Sequence, residues 1–180
     1  MDKEWKFSIK DGKEIAMRPA EAADSEGIIK TLKSFSPERS YVLMEQYGKG
    51  VESEKDYITA MDTKNNLLLV AMFDSTVIGI LEALQSDGGY RPETSHILGI
   101  GLHIKGEFRG FGIGLKMLQY AEEWAREQGF KKLEASVFTT NKRSLTLFRK
   151  AGFSQECTKV KRIRVGNEFI DEVCIGKWLE

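Results

Sequence analysis

Three alternate glycines at positions 110, 112 and 114 follow Arg109 and stand between an apolar run and a long amphipathic segment. A strand that passes through a glycine turn into a helix directs the N–H groups of the first helical turn at one point. Glycine lets the backbone approach a ligand closely, and the helix dipole favours negative charge there. The sequence therefore predicts a phosphate-binding turn at residues 109–115, without naming the ligand that carries the phosphate.

Other interpretations of this turn fit less well. A dinucleotide-binding fold requires G-x-G-x-x-G near the start of a chain, whereas the last position here is Leu115 and several predicted strands precede the turn. Glu134 nevertheless has the spacing of a ribose contact. A Walker loop requires Gly-Lys followed by Ser or Thr, which the turn lacks. A glycine turn that serves packing alone is the remaining alternative.

The hydrophobic pattern places this turn inside one mixed sheet. The predicted strands are residues 5–10, 14–18, 67–73, 76–85, 97–104, 132–138, 153–162 and 169–178. The predicted helices are 25–35 (capped by Asp24 or Ser25), 53–61 (capped by Ser53), 112–128 and 142–150 (capped by Asn141), with 40–47 as a further helical candidate. The unit 97–138 requires a right-handed parallel crossover, and the other strands read as antiparallel. Gly99 and Gly101 predict a bulge or a close backbone approach. The fold class is α/β with helices on both faces.

Composition narrows the class of protein. The 180 residues suit one domain, 1–180, with a sizeable core. The 27 basic residues balance 27 acidic ones, which argues against nucleic acid as a partner. No apolar run is long enough to span a membrane, and the charged N-terminus predicts no leader. Cys157 and Cys174 lack metal-type spacing and fit a reducing compartment. We expect a cytoplasmic protein without a structural metal.

Two downstream segments extend the motif. Residues 122–130 read Glu-Glu-Trp-Ala-Arg-Glu-Gln-Gly-Phe, and residues 141–153 read Asn-Lys-Arg-Ser-Leu-Thr-Leu-Phe-Arg-Lys-Ala-Gly-Phe. With Arg-x-x-Gly-x-Gly at 109–114, they occur in an order and separation that resemble the GNAT N-acyltransferase superfamily. The resemblance is specific over residues 96–155, and the N-terminal third matches only in the order of its elements.

The resemblance implies an N-acetyltransferase that uses acetyl-CoA as cosubstrate, with no metal. It implies a mostly antiparallel sheet whose parallel βαβ unit splays apart where the thioester lies. The pantetheine arm would pair with the strand before the turn, the turn would hold the pyrophosphate, and Asn141 would hydrogen-bond the pantetheine. The implied CoA contacts are Leu102, His103, Ile104, Arg109, Gly110, Phe111, Gly112, Ile113, Gly114, Leu115, Asn141, Ser144 and Phe148.

The proton chemistry departs from the family pattern. Many members have a Tyr where this chain has Phe148, and some have a Glu where it has Ser136. A base is still needed, because an alkylammonium of pKa about 10 must lose a proton before it attacks. Glu82, a carboxylate within an apolar strand, is the first candidate, and its alternative is a place on the solvent face. His103 is the second, and its alternative is packing against the helix. A base acting through water is a third route.

The acceptor is not named by the sequence. We expect a small-molecule or peptide amine that attacks the thioester directly in a ternary complex. Residues 41–50, with Tyr41 and Tyr47, would line its pocket by analogy with the family. The basic residues Lys159, Lys161, Arg162 and Arg164 form either a solvated face or a surface that attracts an acidic acceptor. The C-terminal strands could pair in a homodimer. The competing hypothesis is a CoA-binding regulatory module with weak or no catalysis.

Overall fold

The computed structural model describes residues 4–34, 48 and 50–180. The strands are β1 Trp5–Ser8, β2 Glu14–Pro19, β3 Leu67–Phe73, β4 Thr76–Gln85, β5 Ile97–Ile104, β6 Lys132–Phe138, β7 Ser154–Val165 and β8 Glu168–Trp178. The helices are α1 Ser25–Lys33, α2 Val51–Ala60, α3 Ile113–Glu127 and α4 Lys142–Lys150. The predicted order of elements is confirmed over this part of the chain. The helical candidate at 40–47, with Tyr41 and Tyr47, lies outside the described residues.

The strands form one sheet in the order β1-β2-β3-β4-β5-β6-β8-β7. Among the strands of the described residues, only β5 and β6 pair in parallel, as the crossover through α3 predicted. Every other neighbouring pair is antiparallel. The strands β7 and β8 form a C-terminal hairpin. Its second strand, β8, pairs with β6, and β7 forms the outer edge of the sheet. The predicted fold class is therefore confirmed.

The sheet is covered on both faces, and the helices differ in what they cover. The apolar side of α3, with Met117, Tyr120 and Trp124, packs into the main core with the inward residues of the central strands. On the opposite face α1 and α2 pack over β3 and β4, where Ile28 and Val70 belong to a second cluster. Within the part of the chain that the structure describes, no helix has both the length and the apolarity needed to cross a membrane.

The starts of α1 and α2 show where local capping rules succeed and fail. Asp24 holds the N-cap position of α1, but its carboxylate accepts from the Glu21 N–H at 2.8 Å and pairs with Arg18 at 2.7 Å. It therefore fixes the short 3₁₀ turn before the helix rather than the helix itself. The predicted Ser53 cap is wrong, because α2 begins at Val51 and the carbonyl of Gly50 already accepts from the Glu54 N–H at 3.1 Å.

The prediction of a bulge at Gly99 and Gly101 is also wrong. The β4–β5 register runs without interruption from Gly79 opposite Ile104 to Gln85 opposite Leu98. A Cβ on either glycine would meet its nearest neighbour at 3.7 Å, which is ordinary contact rather than close backbone approach. The two glycines instead leave this face of β5 without side chains at positions 99 and 101, where the cavity described below lies.

Lys177 on β8 ties the sheet to both helices of the main core. Its Nζ donates to Glu122 Oε2 of α3 at 2.6 Å and to the Ala151 carbonyl, just after α4, at 2.7 Å. We expect Lys177→Met to lower the free energy of unfolding by about 1–3 kcal/mol at pH 7, since two partly buried acceptors lose a charged donor. Urea denaturation measures this, with Lys6→Met as the control because the Lys6–Glu4 ion pair is exposed.

The same variant has a defined dependence on pH. Burial alone would raise the pKa of Glu122, but hydrogen bonds from Lys177 and Arg126 outweigh it and lower that pKa. A carboxyl group with a lowered folded-state pKa stabilises the fold above its unfolded pKa of about 4.3, and this contribution is lost as pH falls through the folded value. The deficit of Lys177→Met should therefore shrink between pH 7 and pH 3. An equal deficit at both values would contradict this account.

Candidate active site

The parallel strands β5 and β6 pair at only three positions. Their partners are Ile97 with Lys132, Leu98 with Leu133, and Gly99 with Glu134. Beyond Gly99, β5 continues to Ile104 beside β4, while β6 continues to Phe138 beside β8. The two strands therefore diverge after Glu134 and leave a gap within the sheet, at the place where the family resemblance implied a splay.

The backbone of β5 offers hydrogen-bonding groups to this gap. The N–H of Lys105 donates to the Ile78 carbonyl on β4 at 2.9 Å. In an antiparallel ladder, alternate residues turn both backbone groups toward the partner strand and the residues between them turn both away. The N–H and carbonyl groups of Ile100, Leu102 and Ile104 consequently point toward the gap. The edge of β5 can thus pair with an extended ligand as with another strand.

The glycine turn lies at the mouth of the gap. Arg109 Nε donates to the Ile104 carbonyl at 2.7 Å, which fastens the turn to the end of β5. Gly110 and Gly112 have φ of +87° and +84°, a left-handed conformation that side chains disfavour. No side chain of the described residues caps α3 at Gly112. The first N–H groups of α3 have no acceptor within the helix, so they are available to an anion.

The start of α3 packs against β5 and α4 through a glycine. A Cβ on Gly114 would lie 2.9 Å from Leu147 Cδ2 and 3.1 Å from Ile104 Cδ1. Gly114 therefore allows the helix N-terminus to sit directly on the strand edge that faces the gap. Ile113 is buried, so its contribution to a ligand would be its backbone N–H rather than its side chain.

Asn141 caps α4, as predicted. Its side-chain oxygen accepts from the Ser144 N–H at 3.0 Å, which leaves the side-chain NH₂ as the group that could donate to a ligand. Phe148, also predicted to contact CoA, is 4% exposed and packs edge-on against Phe153, with ring centroids 5.0 Å apart. Its ring belongs to the hydrophobic core. A contact between Phe148 and CoA stays a prediction.

A cavity of about 580 Å³ lies across β4, β5, β6, β8 and β7, on the face of the sheet opposite α3. Its volume suits a small molecule, for which pockets range from about 300 to 1,000 Å³. Gly99 and Gly101 form its floor, because the absence of side chains there leaves the space open. The polar residues lining it are Glu82, Glu134, Ser136, Glu156, Cys157, Lys159 and Cys174.

Glu82 faces this cavity. Its neighbours Leu81 and Ala83 are fully buried in the main core, so alternation along β4 turns Glu82 to the other face. It stands opposite Gly101, and its Oε2 lies 3.7 Å from the position that a Cβ on Gly101 would take. The structure thus places the partly exposed carboxylate in the cavity beside the gap.

Tyr57 of α2 lies near enough to Glu82 for the carboxylate charge to act on its phenol. Burial raises the pKa of its phenol, and the negative charges of Glu82 and Glu54 raise it further. The phenol therefore stays protonated at neutral pH and can donate a hydrogen bond. No sequence signal marked Tyr57, because its approach to Glu82 depends on how α2 packs over the sheet.

His103 shares the face of Gly101, two residues further along β5, and stands opposite Ile80. It is partly exposed and does not belong to the lining of the cavity. The structure therefore brings Glu82, but not His103, into the cavity wall. Its role as the second candidate base stays a prediction.

Most other charged groups of the cavity wall form ion pairs with oppositely charged neighbours. Lys132 Nζ lies 2.8 Å from both Glu134 and Glu156. Burial would lower the pKa of Lys132, but the hydrogen bonds that its ammonium group donates to Glu134 and Glu156 reverse this and raise it. Lys159 pairs with Glu172 at 3.3 Å. Among the predicted basic cluster only Lys159 lines the cavity, whereas Lys161, Arg162 and Arg164 are exposed along β7. The cluster is therefore mainly a solvated face.

Within residues 4–34, 48 and 50–180, no three His, Cys, Asp or Glu side chains gather as a metal ligand set. A mixed sheet that opens between its parallel strands, with a glycine turn at the opening, defines an acetyltransferase fold. The chain belongs to the Acetyltransferase (GNAT) family, whose model matches residues 31–153. The family resemblance drawn from residues 96–155 is thereby confirmed.

Three relatives illustrate the match. An L-amino acid N-acetyltransferase, AaaT, from Escherichia coli K12 is 27% identical over 107 residues, which are 57% of this chain and 62% of that protein, less than two thirds of its length. A GNAT acetyltransferase structure from Streptococcus pneumoniae has a TM-score of 0.85 at 23% identity, covering 92% of this chain and 99% of the other. A phosphinothricin acetyltransferase from Sinorhizobium meliloti, solved with acetyl-CoA, has a TM-score of 0.81 at 19% identity, covering 92% and 88%. At these sequence identities, the similarity to the two solved structures supports the fold alone.

Proposed function

We propose that this chain transfers an acetyl group from acetyl-CoA to a primary amine, which attacks the thioester directly in a ternary complex. The observation that carries the proposal is the gap between β5 and β6, which has an anion-binding turn at its mouth and a carboxylate, Glu82, beside it. The E. coli relative acts on L-amino acids by its name, so the α-amino group of an amino acid is the first acceptor to test.

The chain offers a contact for each part of the cosubstrate. The N–H groups of Ile113, Gly114 and Leu115 would bind the pyrophosphate, with Arg109 holding the turn in place. The backbone of Leu102 and Ile104 would pair with the amides of the pantetheine arm, and the side-chain NH₂ of Asn141 would donate to it. An N–H on the same edge of β5 would stabilise the oxyanion that forms as the amine attacks.

The proton steps use Glu82, which lines the cavity, and the phenol of Tyr57, on which the charge of Glu82 acts. Glu82 accepts a proton from the ammonium group of the acceptor, directly or through a water molecule, and Tyr57 can hold the acceptor by donating a hydrogen bond. The new carbon–nitrogen bond forms and the carbon–sulfur bond breaks, releasing the thiolate of CoA, while the second proton of the attacking nitrogen passes to solvent water or to that thiolate. Phe148 cannot protonate that thiolate, because its side chain carries no ionisable proton. A thiolate is a fair leaving group, so positioning of the two substrates carries much of the rate.

A panel of acceptors tests the proposal. Acetyl-CoA is incubated with the full chain and L-amino acids, polyamines, aminoglycosides or short peptides, and free CoA and acetylated product are separated by chromatography. A thiol reagent is unsuitable as readout because Cys157 is exposed. We expect CoA release to depend on one class of amine and to match product formation. Tight binding of acetyl-CoA without turnover on any acceptor would instead favour the regulatory module, which the absence of Tyr at Phe148 and of Glu at Ser136 motivates.

A further inference from the structure

Cys157 and Cys174 form an opposed pair in the wall of the cavity. They are register partners on the antiparallel strands β7 and β8, both are free thiols, and both line the cavity. From this juxtaposition we propose that the two thiols are a redox-active dithiol site, which reacts with hydroperoxides or small disulfides and closes to a cross-strand disulfide. This site is independent of the residues placed in the acetyl-transfer machinery.

The backbone geometry suits such a bond. Directly opposed residues of an antiparallel pair have Cα atoms about 4.5–5.5 Å apart. Disulfides span Cα separations of about 4.4–6.8 Å, so closure requires no large movement of either strand. The register between β7 and β8 shifts between Gln155 and Cys157. The irregularity directs the side chains of Glu156 and Cys157 toward the same cavity, and it allows the backbone at this end of β7 to adjust when a disulfide forms.

The surroundings distinguish the two thiols. Burial raises the pKa of Cys174, a hydrogen bond with Cys157 raises it further, and the charge of Lys159 partly opposes both. Because Cys157 and Cys174 are directly opposed and line the same cavity, their side chains project from the same face of the hairpin and their sulfur atoms lie within reach of each other. Cys157 is exposed whereas Cys174 is partly buried. Cys157 is therefore the attacking thiol, and Cys174 is the resolving thiol.

The reaction balances with either oxidant. With hydrogen peroxide, the Cys157 thiolate attacks one oxygen, the O–O bond breaks, and the released hydroxide takes up a proton as water. The Cys174 thiolate then attacks the resulting sulfenic sulfur, the S–S bond forms, and a second water leaves. Two thiols lose two electrons, and one peroxide is reduced to two waters. With a small disulfide, two exchange steps give the same bridge and release two small thiols.

The effect of the bridge on catalysis rests on the proposed function. Three strand spacings of about 4.8 Å separate β4 from β8, so the bridge lies on the order of 15 Å from Glu82. It changes the far wall of the cavity rather than the gap or the glycine turn. We therefore expect oxidation to change KM for the amine acceptor and to leave acetyl-CoA affinity unaltered.

The test begins with the reduced, full-length chain and needs no variant. The protein is treated with hydrogen peroxide or oxidised glutathione in slight excess, and its intact mass and its peptides after proteolysis are measured. The expected product is a monomer lighter by two hydrogen atoms, with the peptides of Cys157 and Cys174 joined. A chain that keeps both thiols, that carries two separate adducts, or that links only between molecules would overturn the proposal.

Matched single variants separate the two roles. Cys174→Ser treated with oxidised glutathione should stop at a mixed disulfide on Cys157, because the resolving thiol is gone. Cys157→Ser should react far less, since Cys174 is partly buried. Equal adduct formation on both variants would contradict the assignment of attacking and resolving thiols. Steady-state kinetics of the fully oxidised wild-type protein are measured separately. An unchanged KM for the acceptor would contradict the expected effect on catalysis but not the formation of the disulfide. Absence of any acetyl transfer would instead count against the proposed function.

Discussion

Glu82→Gln is expected to lower kcat/KM for the amine acceptor by about 10²–10⁴-fold, the range typical of losing a general base. Glutamine keeps the shape of the side chain opposite Gly101 but cannot accept a proton at neutral pH. The affinity for acetyl-CoA should stay unchanged, because the glycine turn and the gap-facing edge of β5 do not involve this carboxylate. Steady-state kinetics with the best acceptor of the panel, together with calorimetric titration of acetyl-CoA, measure both quantities.

A second carboxylate in the same cavity provides the control. Glu134 lines the cavity but pairs with Lys132 at 2.8 Å. Glu134→Gln should therefore disturb the local charge without removing the base, and kcat/KM should fall much less than in Glu82→Gln. The pH–rate profile gives a further criterion, because the limb that reports the base should change only in Glu82→Gln. A profile identical to wild type would eliminate Glu82 as the base, and a large loss in His103→Gln alone would transfer that role to His103.

The second large effect concerns the glycine turn. Gly112→Ala combined with Arg109→Ala should raise the Kd for acetyl-CoA at least about tenfold, equivalent to about 1.4 kcal/mol. Alanine at φ +84° costs about 1–2 kcal/mol of backbone strain, which the turn can relieve by redirecting the first N–H groups of α3. Loss of Arg109 also removes the hydrogen bond to the Ile104 carbonyl that fastens the turn to β5.

The other end of α3 supplies a matched control for this substitution. Gly129 has φ +85°, and a Cβ there, as at Gly112, would meet no atom within 4 Å. Gly129→Ala should therefore lose a similar amount of stability in a denaturation experiment while binding acetyl-CoA like wild type. If Gly112→Ala alone and Gly129→Ala weaken acetyl-CoA binding equally, backbone strain rather than loss of a binding turn is responsible for the lower affinity. Unchanged affinity in the Arg109–Gly112 double variant would remove the assignment of the turn to the cosubstrate.

Local rules succeeded where one turn of chain decides the structure. The Asn141 cap was predicted from a polar residue at the start of an amphipathic segment, and its oxygen does accept from the Ser144 N–H. The two apolar runs predicted as strands 67–73 and 76–85 form the β3–β4 hairpin with the predicted bounds. The Ser53 cap failed because a glycine carbonyl three residues earlier already opened α2. Competing start signals within one helical turn cannot be ranked from the sequence.

Gly99 and Gly101 failed for a different reason. Glycine within a strand indicates a position where a side chain is disfavoured, but the sequence does not show what occupies the space that a side chain would fill. A bulge and an open cavity floor produce the same local pattern. The uninterrupted register with β4 excludes the bulge, and the cavity over both residues identifies the floor. Only the arrangement of neighbouring strands distinguishes these two uses of glycine.

The sequence by itself determined the elements, the glycine turn and the family, because periodicity, capping and turn chemistry are properties of adjacent residues. It identified Glu82 as unusual but could not tell which face of the sheet the carboxylate occupies. The tertiary structure decided that question, together with the approach of Tyr57 and the pairing of Cys157 with Cys174. These features depend on register and on the insertion of β8 between β6 and β7. Both arise from packing between segments far apart in the chain, which no local pattern encodes.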